Sequence, residues 1–450
     1  MSTRRPLIML PLLLLALRVS ASAEDAALPD THAGRCAAAY FKAFNSGDEA
    51  EVRGFEQTYR SAAALASRPM DERIRMYHEL RQRWETLSVT RVLRSSERDL
   101  SVRVAPAIGT DELTFDFEFE DKPPYGLIGI RIAAGMRPED AEAQTRPVTP
   151  ELRAATVQSF ADALSSMYVY PEVGEKMAAA VRENAASGRY DGAATAGELA
   201  EALTRDVQEI CRDKHLRVQA SAPLRASAAS QPDDRQPTLI REGRRENYGF
   251  ERVEVLPGNI GYLKFNIFHP SGEAQEIAAA ALAFLANCEA LIFDLRDNGG
   301  GSPEMIKFIS SYLFEEPTYL NTFYDRRSRK TSETWTTATV PGRRFAGDLP
   351  VYVLTSGRTF SGAEEFTYNL KCLKRATIVG ETTGGGAHPV TLHRLSDGLA
   401  VTMPYARAEN PITKTNWEGV GVKPDIETPA DAALDAALRE ARARLGRRGS

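Results

Sequence analysis

Apolar positions change their spacing several times along the chain, and each change marks a structural unit. From residue 24 to about 140 they first recur every three to four residues, over 37–44, 48–65 and 70–84, which is helical spacing. Asn45-Ser46-Gly47-Asp48 closes the first stretch with a turn and cap signal. The period then drops to two over 88–93, 100–104, 113–119 and 127–132, as in half-buried strands. Helices followed by an antiparallel meander predict an α+β accessory domain over 24–146. Pro147-Val148-Thr149-Pro150 links it to a stretch of almost continuous helical pattern, interrupted at Tyr170-Pro171 and at Gly188-Arg189-Tyr190-Asp191. That is a helical bundle over 147–219, followed by a polar linker over 220–238. From 239 to 435 strands (260–265, 290–295, 351–355, 377–379, 399–403) alternate with helices (273–287, 303–314, 363–373), which predicts an α/β core. A last amphipathic helix over 430–445 leads into the C-terminal tail, 436–450 being assigned to helix and tail, and its basic end suits a helix C-terminus. The fold class is therefore α/β and α+β, multidomain.

The first 23 residues depart from all of these patterns. Arg4 and Arg5 precede a ten-residue apolar run, 7–16, and Ala21-Ser22-Ala23 supplies a small-x-small cleavage site. This is a signal peptide, cleaved near Ala23, that sends the protein to the periplasm or outside the cell. Its apolar run is shorter than the roughly 20 residues a permanent span needs, so no membrane insertion is expected after cleavage.

With 26% charged and 43% hydrophobic residues, the 450-residue chain has the composition of a globular protein rather than of collagen, mucin or extended disorder. A formal net charge of −5 and the lack of a basic stripe exclude a general nucleic-acid binder. Cys36, Cys211, Cys288 and Cys372 form no C-x-x-C pair and are too scattered for a disulfide scaffold, so they read as small buried apolar residues. Nothing in the pattern calls for a metal or an organic cofactor.

Two loops of the α/β core carry candidate chemistry. In Asp294-Leu295-Arg296-Asp297-Asn298-Gly299-Gly300-Gly301 the glycines can converge their N–H groups on an anion. Ser302-Pro303 follows, so this is not a phosphate loop, and an ordinary βα turn remains open. Arg296 reads as a structural ion-pair partner. In the second loop, 355–365, Ser361 stands at a helix N-terminus, where the dipole and free N–H groups favour developing negative charge. Gly362 supplies an N–H directly after it, as an oxyanion hole requires. A plain serine N-cap would look the same. The base would come from His32, His78, His215, His269, His388 or His393, and spacing alone does not choose between them.

Taken together and in order, DLRDNGGG, TSGRTFSGAEEF, VGETTGGG and GVGVKPDI resemble the motifs of the tail-specific, or C-terminal processing, peptidases of serine peptidase family 41. The helical segment with Tyr168-Val169-Tyr170-Pro171 and the DKHLRV motif is similar to the branch with tricorn-core peptidases and interphotoreceptor retinoid-binding protein modules. The resemblance implies a crotonase-like (ClpP/crotonase-type) core and an exported serine peptidase acting on a peptide or protein substrate, with homo-oligomers allowed. It makes Ser361 the nucleophile. Thr383-Gly384-Gly385-Gly386 lacks the lysine of a serine–lysine dyad, so the base falls to His215, with Glu418 completing a Ser-His-Glu set and His388 as alternative base. Gly362, Gly299 and Gly300 would form the oxyanion hole. Lys214 stands where tricorn-like relatives tend to carry a hydroxyl. The 29 residues between Val218 and Tyr248 are too few for a PDZ domain. In the accessory domain the element order resembles the cone-shaped nuclear transport factor 2-like fold. The rival readings are a non-catalytic carrier of an apolar, retinoid-like ligand and an inactive peptidase-like scaffold. Joint retention of Ser361, His215 and Glu418 argues against the carrier, which needs none of them.

Overall fold

The computed structural model describes residues 26–108, 112–134, 143–220, 236–345 and 347–448. The signal peptide and residues 221–235 of the linker expected over 220–238 lie outside the described residues, and 236–238 begin the helix Gln236–Arg245. The chain folds as two compact units that meet in sequence at residues 141 and 142.

In the first unit, helix His32–Ser46 starts on the Thr31 hydroxyl, which accepts the Gly34 N–H, and stops at Gly47 in the left-handed region (φ 75°). The helical spacing over 48–65 becomes two helices, Glu49–Tyr59 and Ala62–Ser67, because Arg60 turns extended (ψ 142°) and Ser61 caps afresh. The break serves a buried ion cluster. Glu56 Oε2 lies 2.7 Å from Arg60 Nε and 3.3 Å from Arg73 Nη1, with all three side chains nearly sealed from solvent. Removing the one anion leaves two buried cations, so Glu56→Ala should cost about 3–5 kcal/mol, read as a lowered urea midpoint. Strands β1 (Leu87–Ser95), β2 (Asp99–Pro106), β3 (Leu113–Phe119) and β4 (Leu127–Ala134) form an antiparallel sheet in chain order. The alternation in β3 puts Leu113, Phe115, Phe117 and Phe119 into a core with Phe41, Phe44 and Phe55 of the helices.

The second unit opens with helices Pro150–Met167, Pro171–Ala186 and Ala196–Cys211, followed by β5 (Arg217–Ala220). Then come β6 (Phe250–Leu256), β7 (Ile260–Phe265), β8 (Ala290–Asp294), β9 (Tyr319–Asp325), β10 (Lys330–Trp335), β11 (Val351–Thr355) and β12 (Thr377–Gly380). β13 (Val390–Ser396), β14 (Leu399–Pro404), β15 (Ala406–Glu409) and β16 (Ile426–Glu427) complete the set.

The main sheet runs β16-β12-β11-β8-β7-β6, parallel throughout except for β6. Its central strands are buried on both faces. Leu291 and Phe293 pack with Met305, Ile309 and Phe366 of helices Pro303–Ser311 and Gly362–Cys372. Ala290 and Ile292 pack with Ala433, Ala437 and Ala441 of helix Ala433–Arg448. Such strands read as continuous apolar runs, which is why their positions were legible.

The bundle is not separate from the core. β5 pairs antiparallel with β14, setting Val218 opposite Val401, and the sheet β13-β14-β5 shares one apolar cluster with Phe160, Leu164, Leu199 and Leu203 of the bundle. This pairing carries the turn at 212–216 into the α/β part. All four cysteines are free, and burial pushes the Cys36 thiol up to about 12. Among the described residues, no helix is long and apolar enough to cross a membrane.

Candidate active site

Ser361 lies between β11 and helix Gly362–Cys372, in a turn laced to the glycine-rich loop after β8. Ser356 Oγ donates to the Arg296 carbonyl, Thr359 Oγ1 donates to the Leu295 carbonyl at 2.8 Å, and the Phe360 N–H donates to the Asn298 carbonyl at 3.1 Å. Ser361 itself has φ 53° and ψ −119°, a conformation costing roughly 1–3 kcal/mol that only a well-supported turn retains. The support is Glu364, fully buried, whose Oε2 accepts the Ser361 N–H at 2.9 Å. The same carboxylate accepts the Thr383 hydroxyl and the N–H groups of Gly385 (2.6 Å) and Gly386 (2.8 Å). Burial raises the Glu364 carboxyl, and these four hydrogen bonds pull it back. Thr383–Gly386 is thus scaffold, fastened to the helix that bears the serine.

The expected oxyanion donors separate. The Gly299 N–H already donates to the Asn266 carbonyl at 3.1 Å, and that of Gly300 to Asn298 Oδ1 at 2.9 Å. Sequence suggested both as donors; the Asn266 carbonyl, just after β7, and the Asn298 side chain engage them instead. Gly362 is the first residue of its helix and has no carbonyl one turn back to receive its N–H. Gly301 lies against it, since a Cβ on Gly362 would come within 2.9 Å of the Gly301 nitrogen. Gly300 (φ 106°) must remain glycine, because its Cβ would sit 2.6 Å from the Gly362 nitrogen and 2.8 Å from Ser361 Cβ.

His215 follows helix Ala196–Cys211, which ends at Arg212 in the left-handed region. Its backbone N–H donates to Asp213 Oδ1 at 3.0 Å. The imidazole lies over the ring of Phe360, the residue before Ser361, with centroids 4.7 Å apart. Lys214 Nζ donates to the Gly384 carbonyl at 2.6 Å and ties this turn to the glycine loop. Burial lowers the pKa of His215, with Asp213 pulling the other way, so the ring is neutral near pH 7, as a base must be. A Cβ on Gly386 would stand 2.6 Å from His215 Cε1 and 2.3 Å from Phe360 Cζ. Gly386→Val should therefore give folded protein whose serine reacts at least about tenfold more slowly, checked by reaction with a fluorophosphonate probe.

Glu418 and His388 form a second cluster. His388 Nδ1 is 2.7 Å from Asp213 Oδ2 and 3.5 Å from Glu418 Oε2, and the histidine and aspartate side chains are each 1% exposed. Glu418 Oε2 accepts the Ala387 N–H at 2.6 Å, and burial pushes the Glu418 carboxyl up to about 7 against the pull of His388. The structure thus sets the His215 ring on Phe360, the residue before Ser361, and sets Glu418 against His388. Asp213, His388 and Glu418 are also the one group among the described residues whose donor atoms fall within 4.8 Å of one another, as a metal would need. Their 2.7 Å Nδ1–Oδ2 separation is that of a hydrogen bond. Of the other histidines, His32 and His78 belong to the first unit, His269 bonds Ser271, and His393 lies on β13. Arg296 is forked onto buried Asp294 and donates to the Ala430 carbonyl at 2.7 Å, a structural clamp.

Sequence reasoning did not single out Asp213, Phe360 or Glu364. Ser361-Gly362-Ala363-Glu364 has the S-x-x-E spacing of a capping box, and that signal would have found Glu364.

Comparison with known proteins bears on residues 149–428. The family model "Peptidase family S41" matches residues 259–428, and "N-terminal domain of peptidase S41 in eukaryotic IRBP" matches 149–253. The carboxyl-terminal-processing peptidase 2 of Arabidopsis thaliana chloroplasts is 32% identical over 213 residues, 46% of this chain and 40% of the relative. The carboxyl-terminal-processing protease of a Synechocystis species is 30% identical over 197 residues, 40% of this chain and 44% of the relative. The chain thus spans about two fifths of the length of these relatives. Among solved structures, the photosystem II D1 C-terminal processing protease aligns with a TM-score of 0.42 at 16% identity, covering 66% of this chain and 99% of that one.

Proposed function

Because residues 149–428 belong to peptidase family S41, we propose that this protein is a serine peptidase that hydrolyses peptide bonds through Ser361 and His215. One observation carries the reading: a serine with φ 53° at a helix N-terminus, with a buried, neutral imidazole lying on the residue before it. In this mechanism His215 takes the Ser361 hydroxyl proton as Oγ attacks the scissile carbonyl. The Gly362 N–H, the adjacent Gly301 N–H and the helix dipole stabilise the oxyanion. His215 then protonates the leaving amine, and water releases the acyl group by the same route in reverse.

Several finer assignments belong to the same proposal. The parallel main sheet with helices on both faces supports a crotonase-type core, and helices followed by a four-stranded meander support the nuclear transport factor 2-like assignment of the first unit. Export rests on the pattern of residues 1–23, and the substrate class on the names of the relatives.

The test is fluorophosphonate labelling of the protein beside His215→Ala and His388→Ala. Wild type should label, His215→Ala should not, and His388→Ala should keep a measurable rate. Labelling that survives His215→Ala but vanishes in His388→Ala would move the base, and a folded wild type that never labels would end the peptidase reading. The rate has a predictable pH profile. His215 is reactive when neutral and its pKa lies below the ordinary 6.5, so labelling should persist beneath pH 6.5 and fall only as pH drops through the depressed value.

A further inference from the structure

A base must present one nitrogen to the serine, so its ring rotation has to be held. Serine hydrolases hold it by a hydrogen bond to the far ring nitrogen. His215 lacks that bond. Nδ1 is buried without a partner, and among the described residues neither ring nitrogen is hydrogen-bonded. The tether from Asp213 reaches only the backbone N–H, at 3.0 Å. What the imidazole does have is the Phe360 ring, with centroids 4.7 Å apart and planes at 37°, within the range of favourable aromatic contacts.

We propose that Phe360 is the positioning residue of the base: its ring, seated in a slot of the glycine loop, holds the His215 imidazole in place of a hydrogen-bonded carboxylate. The proposal rests on His215 being the base. Three observations carry it. First, Phe360 is itself fixed. Its N–H donates to the Asn298 carbonyl at 3.1 Å, and its carbonyl accepts the Ala363 N–H at 3.0 Å. Its ring edge lies along Gly384 and Gly386. A Cβ at 384 would stand 2.7 Å from Phe360 Cδ2, and one at 386 would stand 2.3 Å from Cζ, so glycine at both makes room for this ring.

Second, the ring is not a core residue. Phe360 is half-buried and belongs to none of the apolar clusters of its unit, whereas Phe366 of the following helix is fully buried against Phe268 and Phe293. Its one aromatic contact among the described residues is His215. The ring therefore contributes that contact rather than a share of the core. Third, Phe360 and Ser361 are consecutive. They share a turn that Glu364 fastens to Gly385 and Gly386, so a platform on Phe360 moves with the nucleophile and refers the base to it.

Phe360→Leu tests the idea, because leucine keeps an apolar side chain but has no flat face. Fluorophosphonate kinetics resolve a binding constant KI and a limiting rate kinact. The limiting rate should fall at least about tenfold while KI stays within about twofold of wild type. The urea midpoint should stay close to wild type, since the ring lies outside the core. The acidic limb of labelling should move up toward pH 6.5, because an uncovered imidazole regains water and with it the ordinary value from which burial lowers it. A merely structural role would lower urea midpoint and rate together and leave the limb in place. That result, or a limiting rate within about twofold of wild type, overturns the proposal, and with His215→Ala still unreactive the peptidase reading stands. A wild type that never labels removes that reading and this proposal with it. If Phe360→Leu does not fold, Phe360→Met, whose unbranched chain fills the same slot, is read by the same outcomes.

Discussion

Ser361→Ala should abolish fluorophosphonate labelling and lower peptide hydrolysis by about 10⁴- to 10⁶-fold, while the protein unfolds at nearly the same urea concentration as wild type. The two halves of this expectation have separate causes. Activity goes because in the proposed mechanism Oγ is the atom that bonds to the acyl group, and neither Thr359 nor Ser356 can replace it: their hydroxyls donate to the Leu295 and Arg296 carbonyls. Stability stays because the turn is held by the Ser361 backbone N–H on Glu364, which alanine retains. The strain at φ 53° is likewise a backbone property. Ser361→Gly makes the complementary case: equally inactive, but more stable by up to about 1 kcal/mol because glycine accepts that φ at little cost. Hydrolysis above a tenth of wild type in Ser361→Ala would move the nucleophile elsewhere.

How far the site could be read from sequence depended on how local each piece is. The loop that carries Ser361 is a strand, a turn and a helix within about twenty residues, and apolar run, glycine and helix start are visible in one window. The strands of the main sheet are visible for a related reason, since a strand buried on both faces, such as Ala290–Asp294, needs no partner to be recognised. β10 has the opposite character. Lys330–Trp335 is polar and mostly exposed, held by its pairing with β9 rather than by a buried face, so hydrophobic periodicity passes over it. The bundle stands out in sequence because its helices have their own apolar stripes. Only the pairing of β5 with β14, about 180 residues later in the chain, shows that it shares a core with the hairpin.

The same distance limits the reading of the polar residues. Asp213 and His388 are 175 residues apart, and nothing in their spacing predicts a 2.7 Å contact. Motif likeness placed Glu418 near the chemistry, but which histidine it faces is decided by the fold of the segment from 381 to 389. Hydrogen-bond allocation is equally invisible in sequence. A run of three glycines supplies converging N–H groups in principle, and the structure assigns those of Gly299 and Gly300 to Asn266 and Asn298.

Glu364→Ala should be the most disruptive single change in the site, lowering stability by about 3–5 kcal/mol and abolishing labelling even though Ser361 and His215 remain. One buried carboxylate serves four donors from two segments: the Ser361 N–H, the Thr383 hydroxyl, and the N–H groups of Gly385 and Gly386. Alanine strips the acceptor from all of them in a place water does not reach, and an unpaired buried donor costs about 1–3 kcal/mol. The total stays below the sum because the loop relaxes. That relaxation is what removes activity, since Gly386 packs directly against His215 and Phe360, and a loop released from Glu364 no longer holds the imidazole over the serine turn. Glu364→Gln sharpens the test. It keeps the volume and one oxygen but turns an NH₂ toward donors, so its loss should fall between wild type and alanine in both urea midpoint and labelling rate. An alanine variant within about 1 kcal/mol of wild type that labels at the normal rate would mean the turn is supported by its lacing to Leu295, Arg296 and Asn298 alone. The graded alternative would mean that the helix N-terminus, the glycine loop and the base are held in one geometry by a carboxylate that touches no substrate.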